Sequence, residues 1–133
     1  MPAFVLIGVG GVLGANARYL ISIWAARRFG FSFPVGTFLI NASGSLVIGF
    51  LATLIQTSFG SSSEARLFLL TGFLGAYTTF STFAYESVIL MREGEIRAAL
   101  FNLLGSALVG ITGCLIGIAA GDLVAGWLVL WHP

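Results

Sequence analysis

The chain has 133 residues, of which 58% are hydrophobic and 8% charged, and its net charge is +1. An average soluble domain is about 25% charged, so a soluble protein of this size would lack the polar surface to cover such a sequence. The composition and the mean hydropathy of +1.03 therefore predict an all-α integral membrane protein with the lipid bilayer as a partner and no nucleic-acid partner.

Four apolar stretches follow one another, each close to the ~20 residues that a membrane-spanning helix needs. We expect spans at about residues 3–26, 34–57, 67–91 and 98–121 within a single domain. Pro34 suits a first helical turn, and Ser61-Ser62-Ser63-Glu64 is typical of a capping box before the third span. The apolar tail, residues 122–133, is too short to span again and is expected at the headgroup level, anchored by Trp127 and Trp131.

The first stretch begins without a basic region or cleavage site, so we expect a true span rather than a cleaved signal. Its segment Gly8–Gly14 resembles a dinucleotide-binding turn. The glycine pattern is broken, however, and no acidic residue follows about 20 positions later. Glycines four residues apart instead predict close helix packing, at Gly10 and Gly14 in the first span and at Gly113 and Gly117 in the fourth.

The second and fourth spans each carry a polar stripe at helical spacing. The second stripe consists of Thr37, Asn41 and Ser45, and the fourth of Asn102, Ser106 and Gly110. Asn41-Ala42-Ser43 matches a glycosylation acceptor, but it lies in the middle of a span. Polar groups are costly in lipid unless they have partners, so both stripes are expected to face a neighbouring helix or a water-filled path.

The third span contains hydroxyl side chains around two phenylalanines that share a helix face: Thr78, Thr79, Phe80, Ser81, Thr82 and Phe83. Hydrogen bonds between helices could explain one such residue, but three polar stripes favour a permeation pathway. Asn amides and hydroxyls are neutral donors, and aromatic ring edges are electropositive. These groups could replace the hydration shell of a small anion, although two phenylalanines at this spacing are also typical of ordinary packing.

Catalytic groups are scarce. His132 is the single histidine and lies next to the C-terminus, Asp122 is the single aspartate, and Cys114 stands alone in an apolar run. An acid dyad, a serine with its base or a metal cluster cannot be assembled from them. The sequence therefore predicts a protein that is not an enzyme.

The third-span segment from Gly72 to Glu86, GFLGAYTTFSTFAYE, resembles the third-helix signature of the Fluc (CrcB) fluoride channels. Gly36-Thr37-x-x-x-Asn41 is similar to their second helix, and Gly10-x-x-x-Gly14-x-x-x-Arg18 to their first. The fourth span matches more loosely: Ser106 lies where the family often has a polar pore residue, and Asn102 where some members have tyrosine. The resemblance covers essentially the whole chain.

The resemblance implies a third helix that is broken at mid-membrane, in a dimer of two antiparallel subunits. It implies a structural sodium ion (Na⁺), which is not transported, held by the backbone carbonyls of Gly75 and Thr78. The physics agrees, because Gly72 and Gly75 weaken the helix and freed carbonyls need a partner in lipid. The implied fluoride pathway is lined by polar groups from all of the last three spans: Thr37, Asn41, Phe80, Ser81, Thr82, Phe83, Asn102 and Ser106. Glu86 would lie near the end of this pathway, where it could pair with a hydroxyl or an arginine.

Loop charges and two other functions leave alternatives open. Arg27, Arg28, Arg92 and Arg97 fall on one side and Arg66 on the other, which favours one orientation. A dual-topology homodimer should show little bias, so a paired heterodimer is the alternative to the expected homodimer. A small proton-coupled drug exporter would need a carboxylate in its first helix, where this chain has only Arg18. A non-transport structural subunit would not need aligned stripes that contain asparagine.

Overall fold

The computed structural model describes residues 1–57 and 62–131, and within them the chain is helical apart from short connections. Helix α1 is Ala3–Phe29, α2 is Val35–Thr57, α3 covers residues 63–77, α4 is Phe80–Arg92 and α5 is Ile96–Trp131. Helices α3 and α4 together form one span, so four segments of the described chain are long and apolar enough to cross a membrane. This confirms the predicted all-α, four-span fold with an interrupted third helix.

The helix limits differ slightly from those predicted. The predicted limits 26, 34, 91 and 98 become 29, 35, 92 and 96. Pro34 precedes α2 and its carbonyl accepts a hydrogen bond from the backbone N–H of Phe38 at 3.0 Å. Its ring therefore stands where the helix needs no donor, as the sequence predicted for a proline at a helix start.

Helix α3 has an unusual hydrogen-bonding pattern. Ser63–Ala65 and Gly75–Tyr77 are α-helical, but Arg66–Leu74 between them is π-helical. The helix cap is Ser62, whose hydroxyl accepts from the backbone N–H of Ala65 at 3.3 Å. The predicted capping box was placed one residue early, and Ser61 lies outside the described residues. Its glutamate does not cap the helix either, because Glu64 accepts a hydrogen bond from the N-terminal amine at 2.7 Å.

Helix α5 is longer than predicted. The sequence predicted an end near Gly121, but the helix continues through the apolar tail to Trp131. A glycine costs a helix only about 1 kcal/mol, and no proline follows Gly121 within the helix. The exposed Trp127 side chain is compatible with the predicted headgroup anchor. The side chain of Trp131 and all of His132 lie outside what the structure describes, so the placement of the tail stays a prediction.

Two helix pairs approach each other at glycines. A Cβ at Gly14 would overlap the Phe73 carbonyl, so α1 lies against the backbone of α3. A Cβ at Gly117 would overlap the Leu46 carbonyl, and one at Gly49 would overlap the Cys114 carbonyl, so α2 and α5 are equally close. These contacts confirm the close packing predicted from the glycine spacing.

The buried centre of the protomer lies between α2 and the end of α3. Ile40, Leu74 and Tyr77 form the buried cluster, and partly buried apolar side chains of α1, α2 and α3 surround it. This packing holds the end of α3 beside the middle of α2. The interruption of the third span is therefore positioned next to the polar stripe of the second.

Candidate functional site

The interruption consists of Thr78 and Thr79. Thr78 has φ −78° and ψ 159°, and Thr79 has φ −150° and ψ 112°, so both are extended. The side chain of Thr79 then caps α4, because its Oγ1 accepts from the backbone N–H of Thr82 at 3.3 Å. Two adjacent β-branched residues favour extended backbone, and a threonine is a good N-cap. The sequence thus both ends α3 and starts α4 at this point.

Asn41 binds the backbone of the interruption from α2. Its Nδ2 donates to the Thr79 carbonyl at 3.0 Å, and its Oδ1 accepts from the Thr79 N–H at 2.9 Å. The two bonds satisfy a backbone donor and acceptor that the broken helix leaves without partners. One amide proton of Asn41 is not used by Thr79, so this side chain can hold the interruption and still donate once more.

The interruption also frees the two carbonyls that were predicted to bind a cation. In a continuous helix, the Gly75 carbonyl would accept from the N–H of Thr79, and the Thr78 carbonyl from the N–H of Thr82. Here those two N–H groups donate to Asn41 Oδ1 and to Thr79 Oγ1. Both carbonyl oxygens are therefore available as hard oxygen ligands, which suit a cation such as sodium. Within residues 1–57 and 62–131, no three His, Cys, Asp or Glu side chains form a metal-binding group.

A cavity of about 420 Å³, which we call the central cavity, lies beside the interruption. It combines residues from α2, the interruption, α4 and α5: Asn41, Gly44, Ser45, Ile48, Thr78, Thr79, Phe80, Phe83, Ser106 and Ala107. The Phe80 and Phe83 rings are 5.8 Å apart between centroids and inclined by 47°. Four predicted pathway residues, namely Asn41, Phe80, Phe83 and Ser106, are brought together here.

Phe80 is the most exposed of these residues, with 80% of its surface accessible in the protomer. Ser81 and Thr82 are also exposed, and neither lines the central cavity. The Thr82 hydroxyl accepts a hydrogen bond from the Thr79 hydroxyl at 2.9 Å, so its own proton stays free to donate. The hydroxyls predicted for the third span therefore lie on the outer face of α4, next to the cavity rather than inside it.

Thr37 and Glu86 form a separate polar pair. The Thr37 hydroxyl donates to Glu86 Oε1 at 2.9 Å, and Glu86 Oε2 is buried without a hydrogen-bond partner among the described residues. Both line a second cavity of about 360 Å³, together with the chain between α1 and α2. The expectation that Glu86 could pair with a hydroxyl near one end of the spans agrees with this geometry.

Asn102 lies away from both cavities. It is completely buried, and its Nδ2 donates to Ser87 Oγ at 3.0 Å. Its Oδ1 accepts from the hydroxyl of Ser106 at 3.3 Å. Asn102 therefore joins α4 to α5 and does not line the cavity, whereas Ser106, one turn later, does.

Sequence reasoning missed some of the groups that shape the site. The caps and partners of Thr79 depend on Asn41, which is 38 residues away, and no local signal indicates this pairing. Ser43 and Tyr77 are also joined, with 2.8 Å between their hydroxyl oxygens, on the side of the interruption towards α3. Gly44 makes room for Thr78, whose methyl group a Cβ at that position would overlap. A glycine within a polar stripe was the only available clue to this contact.

Comparisons with known proteins agree with this architecture. The family model described as CrcB-like protein, Camphor Resistance (CrcB), matches residues 5–118. A protein of Chloroflexus aurantiacus named Fluoride-specific ion channel FluC is 45% identical over 126 residues, covering 95% of this chain and all of the relative. Proteins with the same name from Roseiflexus sp. and Rhizobium meliloti are 45% and 40% identical, covering 85% and 90% of this chain and 91% and 95% of their own lengths.

Proposed function

The chain belongs to the CrcB family of multi-pass membrane channels, and we propose that it conducts fluoride passively across the cell membrane and so lowers cytoplasmic fluoride. The central cavity is the observation that carries this proposal. It places an asparagine amide, hydroxyls and two phenylalanine rings around one space between three spans. Neutral donors and ring edges suit an anion, and no charged side chain lines this cavity.

A small anion must lose water to enter such a space. Fixed donors replace that water only if their protons are free, so the hydrogen bonds within the protein decide which groups take part. Asn41 keeps one free amide proton, and the proton of Thr82 is also free. Ser45 lines the cavity and has no hydrogen-bond partner among the described residues. These groups could bind fluoride without the full positive charge that would trap it.

We propose that two subunits associate in antiparallel orientation through the face that carries the interruption. Phe80, Ser81 and Gly75 are all exposed on the isolated protomer. Such polar and aromatic groups are poorly matched to lipid, so a second copy is a better neighbour than acyl chains. A homodimer is the simpler assembly, and the arginine bias between the loops keeps a paired heterodimer as the alternative.

The freed carbonyls of Gly75 and Thr78 support the proposal of a structural sodium ion. They would hold it together with the same two carbonyls of the second subunit, without any carboxylate. A monovalent ion with oxygen ligands suits a neutral site better than a divalent ion, which is costlier to dehydrate. When bound, the cation would supply positive charge that stabilises the assembled interface and is itself not transported.

Fluoride efflux from liposomes tests the proposal. The purified protein is reconstituted at about one dimer per vesicle, and efflux is measured with a fluoride electrode and, in parallel vesicles, with a chloride electrode. We expect rapid fluoride loss and chloride retention. Equal retention of fluoride in protein-containing and protein-free vesicles would contradict channel activity, and equal efflux of both anions would contradict selectivity.

A further inference from the structure

The Ser106 hydroxyl makes an unusual hydrogen bond for a serine within a helix. The hydroxyls of Ser43, Thr53, Thr78 and Ser87 each donate to the backbone carbonyl four residues earlier, at 2.7–2.9 Å. Such bonds are common, because the hydroxyl is within reach of that carbonyl. Ser106 instead donates to the side chain of the residue four positions earlier, Asn102 Oδ1, at 3.3 Å.

The length of this bond matters for the chemistry of the cavity. A serine has one hydroxyl proton, and a hydroxyl whose proton is committed to the backbone presents only lone pairs to an anion. O–H···O bonds are strongest near 2.7–2.8 Å, so the 3.3 Å bond to Asn102 is weak. An anion in the central cavity can take over this proton at a small cost, whereas it would compete poorly with a backbone bond of ordinary length.

The position of Asn102 is fixed from the other side. Its Nδ2 donates to Ser87, which is 2% exposed and itself donates to the carbonyl of Phe83. This network orients the amide so that its oxygen faces Ser106. Asn102 is completely buried and does not reach the cavity, so it can influence an anion only through its neighbour.

From this geometry, we infer that Asn102 is a positioning residue that keeps the Ser106 hydroxyl away from its own backbone and available to donate to fluoride. The inference rests on the proposed function. Without the amide oxygen, the Ser106 hydroxyl would turn to the backbone carbonyl of residue 102. Fluoride would then lose a donor in the cavity, although every lining side chain would still be present.

A double-mutant cycle in the liposome assay tests the inference. We expect Asn102→Leu and Ser106→Ala each to lower the initial fluoride efflux rate about tenfold, the loss of one hydrogen bond to a charged group. The double variant should be no slower than either single variant, because both changes remove the same donor. A purely structural role or a direct contact between Asn102 and the ion would make the two effects multiply, to about a hundredfold.

Ser87→Ala is the matched control. It removes the link between Asn102 and α4 but leaves the backbone position of Ser106 unchanged, so efflux should stay within about threefold of wild type while stability falls. A tenfold loss in Ser87→Ala would show that the link between helices is what matters and would overturn the inference. Should Asn102→Leu not assemble, Asn102→Met fills the same space more adaptably and has the same expected result.

Two outcomes separate this inference from the proposed function. Wild-type vesicles that retain fluoride would refute the channel itself. Wild-type vesicles that release fluoride, with Ser106→Ala or Asn102→Leu equally fast, would leave the channel intact and refute only the role of Asn102.

Discussion

Replacing Asn41 by leucine should destabilise the interruption of the third span. Leucine has nearly the same volume, but it removes both hydrogen bonds to Thr79, which measure 3.0 and 2.9 Å. The Thr79 N–H and C=O would then lack partners in a region where Thr79 is buried. An unsatisfied buried polar group costs about 1–3 kcal/mol, so the two together predict a loss of about 2–4 kcal/mol, since partial relaxation or one water molecule can recover some of the cost.

The assay is the free energy of unfolding, obtained by titrating a denaturing detergent into protein held in mild-detergent micelles. Ser45→Ala is the control, because Ser45 lies one turn later, lines the same central cavity and has no hydrogen-bond partner among the described residues. We expect this control to stay within about 0.5 kcal/mol of wild type. An Asn41→Leu protein equally close to wild type would refute the argument that the amide supports the interrupted backbone.

Asn41→Asp separates the structural role of the amide from its role towards the anion. The carboxylate can still accept from the Thr79 N–H, but it cannot donate to the Thr79 carbonyl and brings a negative charge to the cavity. We expect it to stop fluoride efflux even in protein that remains assembled. Normal fluoride efflux in Asn41→Asp would mean that the polar stripe of α2 serves helix packing only.

Three further predictions follow from other parts of the structure. Gly14→Ala should lower the free energy of unfolding by more than about 3 kcal/mol, because its Cβ would overlap the Phe73 carbonyl; Gly8→Ala, with nothing within 4 Å of the added carbon, should be neutral or slightly stabilising, and equal effects of the two would refute the close contact. Phe83→Ile should reduce fluoride efflux at least tenfold without loss of assembly, whereas Phe4→Ile on an exposed face of α1 should not; an active Phe83→Ile channel would exclude a role for the ring edges. Replacing sodium by a large organic cation should weaken the dimer by mass action and slow fluoride efflux, with recovery when sodium returns, and a dimer whose dissociation constant ignores sodium would contradict the proposed cation site.

The fold was largely predictable because the lipid environment leaves few alternatives. Runs of apolar residues gave the four spans, and the glycine spacing at Gly10 and Gly14 gave the close contact between α1 and α3. The length of α5 was wrong, since Gly121 is too weak a signal to end a helix that no proline follows. Nothing in the composition of Arg66–Leu74 distinguishes a π-helix from an α-helix.

The site was predicted less completely, for reasons of geometry. Asn41 and Ser106 were expected at one pathway, and they do line one cavity. Asn102 shares a stripe with Ser106, but four residues rotate a helix by about 400°, so the stripe drifts by about 40° with each step. This drift is enough to turn Asn102 towards Ser87 on α4. Only three-dimensional contacts reveal which members of a polar stripe face the cavity.

The π-helical segment makes the third span sensitive to the number of its residues. Each N–H in Arg66–Leu74 reaches back one residue further than in an α-helix, so this segment holds more residues per turn. Deleting one residue there would allow ordinary α-helical bonding, but it would rotate everything after it by about 100° relative to α1. Gly72 would then leave its contact with Gly10, and Thr79 would turn away from Asn41. Length variation during evolution is therefore expected to be tolerated in the loop before Ser62 and selected against between this loop and the interruption.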